Sequence, residues 1–222
     1  MSVAHPVLDR AVALYTFVDT AYLGGRPVEA IAEQLCAGGS DLIQLRAKGS
    51  SPAEVRSLAE RIHPITSRAG VPLVINDHPG IAADLGVEFC HLGQEDFFDA
   101  GHTRVGELPG GSRGRPVYGL STHAPEQAAR AVAAGPAYIA IGPVYPTGTK
   151  PGARPVTLDY VRWAATNVSI PWFAIGGITL ANLGDVMEAG ARRICVVSAI
   201  LNAPDIPQAC QEFKTRLLSS RG

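Results

Sequence analysis

The sequence predicts an α/β protein, a single-domain (β/α)₈ or TIM barrel. Three observations carry that expectation. Short apolar runs alternate with helix-type segments along the whole chain, making eight strand-then-helix units. The strand runs are apolar on both faces, as parallel strands covered by helices must be. Polar residues recur at the C-terminal ends of successive strands, where the βα loops of a barrel build active sites. At 222 residues the chain is leaner than a typical barrel of about 250. The alternative is a doubly wound open sheet, but its Gly-rich fingerprint after the first strand is missing.

The first strand is expected at 12–18 (VALYTFV), and a helix at 28–36 follows, with Pro27 at its start. Gly38-Gly39 ends that helix, and DLIQLR at 41–46 is the second strand. Pro52 opens a helix that runs to about Ala69, stopped by Gly70. PLVIN at 72–76 is the third strand, with a short helix at 80–85, and VEFCHL at 87–92 is the fourth. Gly and Pro crowd 106–116, which predicts a short or frayed fourth helix and a flexible loop over 104–116. The fifth strand is 117–120, with an Ala-rich helix at 125–134, and the sixth is 137–141, stopped by Gly142-Pro143. A helix at 158–166 leads to the seventh strand, 172–175. A helix at 179–189, the eighth strand at 193–197 and a helix at 207–218 complete the chain. Residues 1–10 read as an N-terminal extension, and no domain boundary is visible.

Composition narrows the function. The chain is 46% hydrophobic and 18% charged with net charge −1, so it has no basic footprint for nucleic acid or a membrane surface. Any cation that binds an anion must be placed locally. Cys36, Cys90, Cys195 and Cys210 lie in apolar runs and form no CxxC pair. They read as buried free thiols in a reducing compartment. The N-terminus lacks the apolar core of a signal peptide, and no window reaches the length of a membrane span. A cytoplasmic enzyme is the expectation.

The strand ends carry the chemistry. Gln44, Arg46 and Lys48 alternate in IQLRAKG, and period-two spacing puts all three on one side. Asn76 and Asp77 follow the third strand, HLGQED with Asp96 the fourth, and Ser121-Thr122-His123 the fifth. After the sixth comes a loop with Thr147, Gly148, Thr149 and Lys150, small residues, hydroxyls and one cation that suit a phosphate ester. Any one cluster has an ordinary alternative: Arg46 and Lys48 pairing with rim acids, Asp77 as a turn residue, Asp96 as a helix cap. Five clusters at one end of five successive strands are hard to explain that way.

Two groups separate by chemistry. Gly176-Gly177, read as the start of a helix, and Val197-Ser198 after the eighth strand form a phosphate cup of backbone N–H groups. Arg46, Lys48 and Lys150 face Asp77 and Asp96. Two carboxylates among cations suit Mg²⁺, which takes one or two carboxylates and fills its octahedron with phosphate oxygens and water. The sequence thus points to two anionic substrates, a monophosphate at strands seven and eight and a Mg-bound diphosphate across strands two to six.

The motifs IQLRAK, IND, HLGQED, GLSTH, IGPVYPTGTK, AIGGI and VVSAI, in this order, resemble the thiamine-phosphate synthase (thiamine-phosphate pyrophosphorylase) family from Leu14 to Ile200. That resemblance implies a transferase in a (β/α)₈ barrel. It joins 4-amino-2-methyl-5-(hydroxymethyl)pyrimidine diphosphate to 4-methyl-5-(2-hydroxyethyl)thiazole phosphate and releases pyrophosphate. It implies that the Gln44-Leu45-Arg46-Ala47-Lys48 stretch, Asn76, Ser121 and Lys150 bind the pyrimidine diphosphate, with Arg46, Lys48, Lys150 and Ser121 carrying catalysis. It implies that Asp77 and Asp96 hold Mg²⁺, and that Thr147, Gly148, Thr149, Gly177, Val197 and Ser198 bind the thiazole phosphate. Its partners are small molecules, with no nucleic acid and no membrane, and a homo-oligomer is compatible with it. Two departures stand out: His78-Pro79 replaces the arginine that commonly follows IND, and 104–116 departs from the family's helix. The reacting carbon is a methylene on an electron-rich aminopyrimidine, so departure of pyrophosphate leaves a delocalised cation and no general base is required. His123 and His91 are therefore read as structural. The alternatives are a thiazole tautomerase-like enzyme and a non-catalytic thiazole-phosphate binding protein of the same fold.

Overall fold

In the computed structural model, which describes residues 6–9, 13–111, 114–149 and 154–219, the strands close into a parallel barrel in sequence order. They are β1 (Leu14–Asp19), β2 (Leu42–Arg46), β3 (Leu73–Asn76), β4 (Phe89–Leu92), β5 (Val117–Thr122), β6 (Tyr138–Ile141), β7 (Trp172–Ile175) and β8 (Ile194–Cys195). β8 pairs back onto β1, which removes every sheet edge. The expected barrel is the observed one, and the open sheet is excluded. Nearly every strand residue is buried, because helices cover one face and packed side chains fill the other.

α1 (Pro6–Asp9) precedes β1, and the other helices follow the strands: α2 (Val28–Ala37), α3 (Pro52–Arg68), α4 (Pro79–Leu85), α5 (Gln94–Asp99), α6 (Pro125–Ala133), α7 (Thr157–Asn167), α8 (Leu183–Glu188), α9 (Ser198–Leu201) and α10 (Ile206–Ser219). α3 has the clearest local cause. Ser51 and Glu54 form a reciprocal capping box, and Pro52 takes the first turn, where its missing N–H costs nothing. α5 has only 6 residues, as the Gly and Pro content after it predicts. Within 104–116, Leu108 is buried and the Tyr118 hydroxyl donates to Pro109 O at 2.8 Å. The N-terminal residues expected to be a mere extension include α1, whose Leu8 is buried in the core. No described helix is long and apolar enough to cross a membrane.

Three differences from expectation have local causes. β1 runs to Asp19 rather than Val18, because Asp19 pairs in register with Arg46 of β2. β5 continues to Thr122, whose buried hydroxyl donates to Ala140 O at 3.0 Å and accepts from the Tyr160 hydroxyl at 2.8 Å. The helix expected from 179 begins only at Leu183. Before it, a turn is closed by Asn182, which accepts from Thr179 N–H and donates to Gly177 O.

The barrel interior is aromatic. Tyr15 stacks on Phe17 with centroids 5.2 Å apart and meets Phe173 edge-on at 5.4 Å, and Tyr138 meets Phe173 edge-on at 5.5 Å. Tyr138 fits because β5 carries Gly119 opposite it: a Cβ there would lie 2.2 Å from the Tyr138 ring.

Candidate active site

A cavity of about 390 Å³ opens at the C-terminal ends of the strands, and all eight strand-end regions contribute to its wall. Gln44, Arg46 and Lys48 all reach it, as their alternation predicts. Asn76, Asp77, Asp96, Ser121, Thr147, Thr149, Gly177, Val197 and Ser198 line it as well. The intervening Leu45 and Ala47 are buried in the core instead, and Gly148 is exposed and outside the wall. Lys150 lies outside the described residues.

The carboxylates converge on one glycine. Asp77 has φ 61°, in the left-handed region that Asp tolerates better than most residues. Its amide donates to His91 O at 2.8 Å, which pins the end of β3 to β4. Its carboxylate accepts from Asn76 Nδ2 at 2.7 Å, from Gly93 N–H at 3.4 Å and from the Lys48 ammonium. Asp96 sits in the first turn of α5, where Gly93 is the N-cap and the cap has no side-chain hydrogen bond. Asp96 Oδ2 lies 2.7 Å from the position a Cβ on Gly93 would take. Gly93 thus leaves room for one carboxylate and holds the other. Among the described residues no group of three or more His, Cys, Asp and Glu could hold a metal. A pair of hard carboxylate oxygens beside a basic side chain is instead the donor set for a cation that shares its shell with phosphate and water.

Arg46 departs from expectation, because it does not face these carboxylates. Its Nη1 donates to Asp19 Oδ2 at 2.7 Å and its Nη2 to Thr149 O at 3.2 Å. Asp19 is 1% exposed, and its other oxygen accepts from Ala21 N–H at 3.0 Å. The guanidinium fork therefore spans the mouth from β1 to the loop after β6, a job for which a point-charge lysine would be a poor substitute. Tyr22 closes the same contact, its hydroxyl 2.9 Å from Thr149 Oγ1.

The phosphate cup also needs correction. Gly176-Gly177 does not open a helix; α8 starts six residues beyond Gly177, and the helix at the cup is the single turn α9, which Ser198 begins. The two glycines are required by crowding. Val144 N–H donates to Ile175 O at 2.8 Å and Tyr145 N–H to Gly176 O at 3.0 Å, which lays the loop after β6 directly over them. Gly177 has φ 64°, and a Cβ there would lie 2.6 Å from Pro146 O.

The histidines divide. The ring of His123 donates from Nδ1 to Gly142 O, and its backbone N–H donates to Gln127 Oε1 at 2.7 Å. That supports a structural role. His91, the penultimate residue of β4, is buried, and burial pushes its pKa down to about 4 against an opposing pull from Asp77. Its Nδ1 lies 3.3 Å from the Tyr138 hydroxyl. All four cysteines are free thiols, and burial raises their pKa values. Sequence reasoning missed Asp19, Tyr15, Tyr22 and Tyr138. The one available signal was Asp19 itself, the only acid directly after the first apolar run.

Comparison with known proteins places the chain in a family. A thiamine-phosphate synthase from Thermus thermophilus is 48% identical over 186 residues, 83% of this chain and 86% of that protein. One from Halalkalibacterium halodurans is 36% identical over 96% of this chain and 98% of its own length. Among solved structures, the thiamine phosphate pyrophosphorylase from Pyrococcus furiosus superposes with a TM-score of 0.79 at 24% identity, covering 96% of this chain and 98% of that one. The family described as thiamine monophosphate synthase matches residues 14–200, and the chain belongs to that family.

Proposed function

We infer that this chain joins the pyrimidine diphosphate to the thiazole phosphate, giving thiamine monophosphate and pyrophosphate, in the cytoplasm. The observation that supports this best is one cavity holding both halves of the required chemistry. Asp77, Asp96 and Lys48 line it on the β2–β4 side, and Gly176, Gly177, Val197 and Ser198 line it at β7 and β8, where their backbone N–H groups would take a phosphate. Asp77 and Asp96 would hold Mg²⁺, which neutralises charge on the diphosphate and so eases its departure.

The other groups are this chain's own. Lys48 leaves Asp77 for the diphosphate, a cheap exchange because its side chain is 56% exposed and such pairs contribute only about 0–1 kcal/mol. Arg46 holds the loop after β6 over the mouth while Lys150, assigned from the family motif, stabilises the charge that develops on the leaving oxygen. Ser121 orients the pyrimidine ring. Gly177, Val197 and Ser198 take the thiazole phosphate with Thr147 and Thr149, and so hold the thiazole nitrogen against the reacting methylene. No residue needs to remove a proton from that nitrogen, which fits the absence of a role for His91 or His123 as base.

The test is chemical. Both substrates mixed with Mg²⁺ and the protein should yield pyrophosphate and thiamine monophosphate in equal amounts. Binding of the thiazole phosphate without pyrophosphate release would make the chain a binding protein and overturn the reading.

A further inference from the structure

Four buried polar side chains form one line across the floor of the cavity. Gln44 Nε2 donates to the Tyr15 hydroxyl at 2.6 Å. The Tyr15 and Tyr138 hydroxyls are 3.3 Å apart, and the Tyr138 hydroxyl is 3.3 Å from His91 Nδ1. The residues come from β2, β1, β6 and β4, so the line crosses the barrel. Their exposures run from 0% at Tyr138 to 8% at His91. His91 also stacks on Tyr138, with centroids 5.6 Å apart, so neither ring turns freely.

The line has a direction, because each phenol has a single proton to give. The Gln44 amide nitrogen can only donate, so the Tyr15 oxygen accepts there. Tyr15 then gives its proton to Tyr138, its other partner among the described residues. Tyr138 gives its own to His91 Nδ1, which leaves the ring proton of His91 on Nε2. Flipping the Gln44 amide would set two oxygens against each other unless every donor in the line reversed. A glutamine without such a partner would flip freely.

The direction decides what the floor offers a ligand. Gln44 Oε1 and His91 Nε2 have no partner among the described residues, and neither is one of the buried side-chain atoms left unpaired. Both therefore face the cavity that their residues line. The floor presents a fixed acceptor from Gln44, its second amide proton, and a donor from His91. A pyrimidine with an amino group beside a ring nitrogen offers the matching donor and acceptor. Its 4-oxo counterpart offers an oxygen to Gln44 Oε1 instead.

We propose that Tyr15 and Tyr138 are positioning residues, and that the one-way hydrogen-bond line from Gln44 to His91 makes the site select a 4-aminopyrimidine over its 4-oxo counterpart. This rests on the reading that the pyrimidine diphosphate occupies this cavity. Calorimetric titration of the 4-amino and 4-oxo pyrimidine diphosphates, with Mg²⁺, into the wild type, Tyr15→Phe and Tyr138→Phe tests it. The wild type should prefer the amino ring by roughly 100-fold or more, because a mismatched buried polar pair is rejected strongly. Each variant should lose about tenfold of that preference while keeping its affinity for the thiazole phosphate. A merely structural role would weaken both rings alike, and an unchanged ratio in a folded variant overturns the proposal. Nitrogen-15 NMR of the wild type needs no variant: His91 should carry its proton on Nε2, and a proton on Nδ1 overturns the direction of the line. If neither ring binds the wild type, the substrate reading falls and the selectivity with it, while the histidine tautomer still decides the line.

Discussion

At the floor of the cavity, Tyr15, Gln44, Tyr138 and His91 are buried and hydrogen-bonded in a line. At the rim above them, Lys48, Glu95 and Asp96 are charged and open to solvent, while Asp77 keeps only part of its side chain exposed. The two regions meet in one cavity but obey different energetics. A rim ion pair is worth about 0–1 kcal/mol and can be traded for a ligand or a metal. A floor hydroxyl left without its partner costs about 1–3 kcal/mol, so the floor keeps one arrangement. The rim exchanges charge, and the floor recognises shape and polarity.

The largest test of that division is at Lys150. Replacing it with alanine should lower kcat by tenfold or more, since one preorganised donor is typically worth about 2.7–4 kcal/mol in the transition state. Steady-state kinetics decide it: an unchanged kcat with a raised KM would make Lys150 a binding residue only.

The floor makes its own prediction through pH. His91 is held neutral in the fold down to about 4, against an ordinary value of 6.5. Between those two values the unfolded chain takes up a proton that the folded chain refuses, so stability must fall as pH falls from 6.5 toward 4. The loss amounts to at most about 3 kcal/mol. Above pH 7 this group contributes no slope. Denaturant unfolding at a series of pH values should therefore show a flatter profile in this window for His91→Gln than for the wild type. Parallel profiles would contradict the burial of a neutral imidazole.

The smallest effect expected is at the rim. Lys48→Ala should change stability by less than about 1 kcal/mol, because the lysine side of its pair with Asp77 is exposed, while the KM for the pyrimidine diphosphate rises. A thermal shift as large as that of a core substitution would show that the rim is structural after all.

The same contrast explains what the sequence made legible. The eight strands could be read because apolar runs alternated with helix signals, and the rim could be read because polar residues stood out at strand ends. Gln44, Lys48, Asp77, Asp96 and Ser121 were found that way and do line one cavity. Of the floor only Gln44 was legible, and its tyrosines were hidden. Tyr15 and Tyr138 sit inside VALYTFV and AYIAI, where a tyrosine reads as one more core residue and only the closed barrel brings their hydroxyls together. Arg46 was found, but its pairing with Asp19 was not legible, because that pairing depends on the β1–β2 register. Gly177 and Ser198, read as a phosphate cup, do line the cavity, yet the helix expected to begin at Gly176-Gly177 starts later. Thr179 to Asn182 carries helix-compatible residues, and the side-chain turn at Asn182 outcompetes the helix there.

On this division of labour, the proposal that most needs a test is that turnover depends on a metal held by the rim carboxylates. The direct measurement is the rate of pyrophosphate release against Mg²⁺ concentration for the wild type, Asp77→Asn and Asp96→Asn, with thiazole-phosphate binding followed in parallel. EDTA should abolish turnover, and excess Mg²⁺ should restore it. Both variants should need far more Mg²⁺ for half-maximal rate, and their affinity for the thiazole phosphate should stay close to wild type. Wild-type Mg²⁺ dependence in both variants would show that Asp77 and Asp96 are not ligands, and would contradict the assignment of the rim.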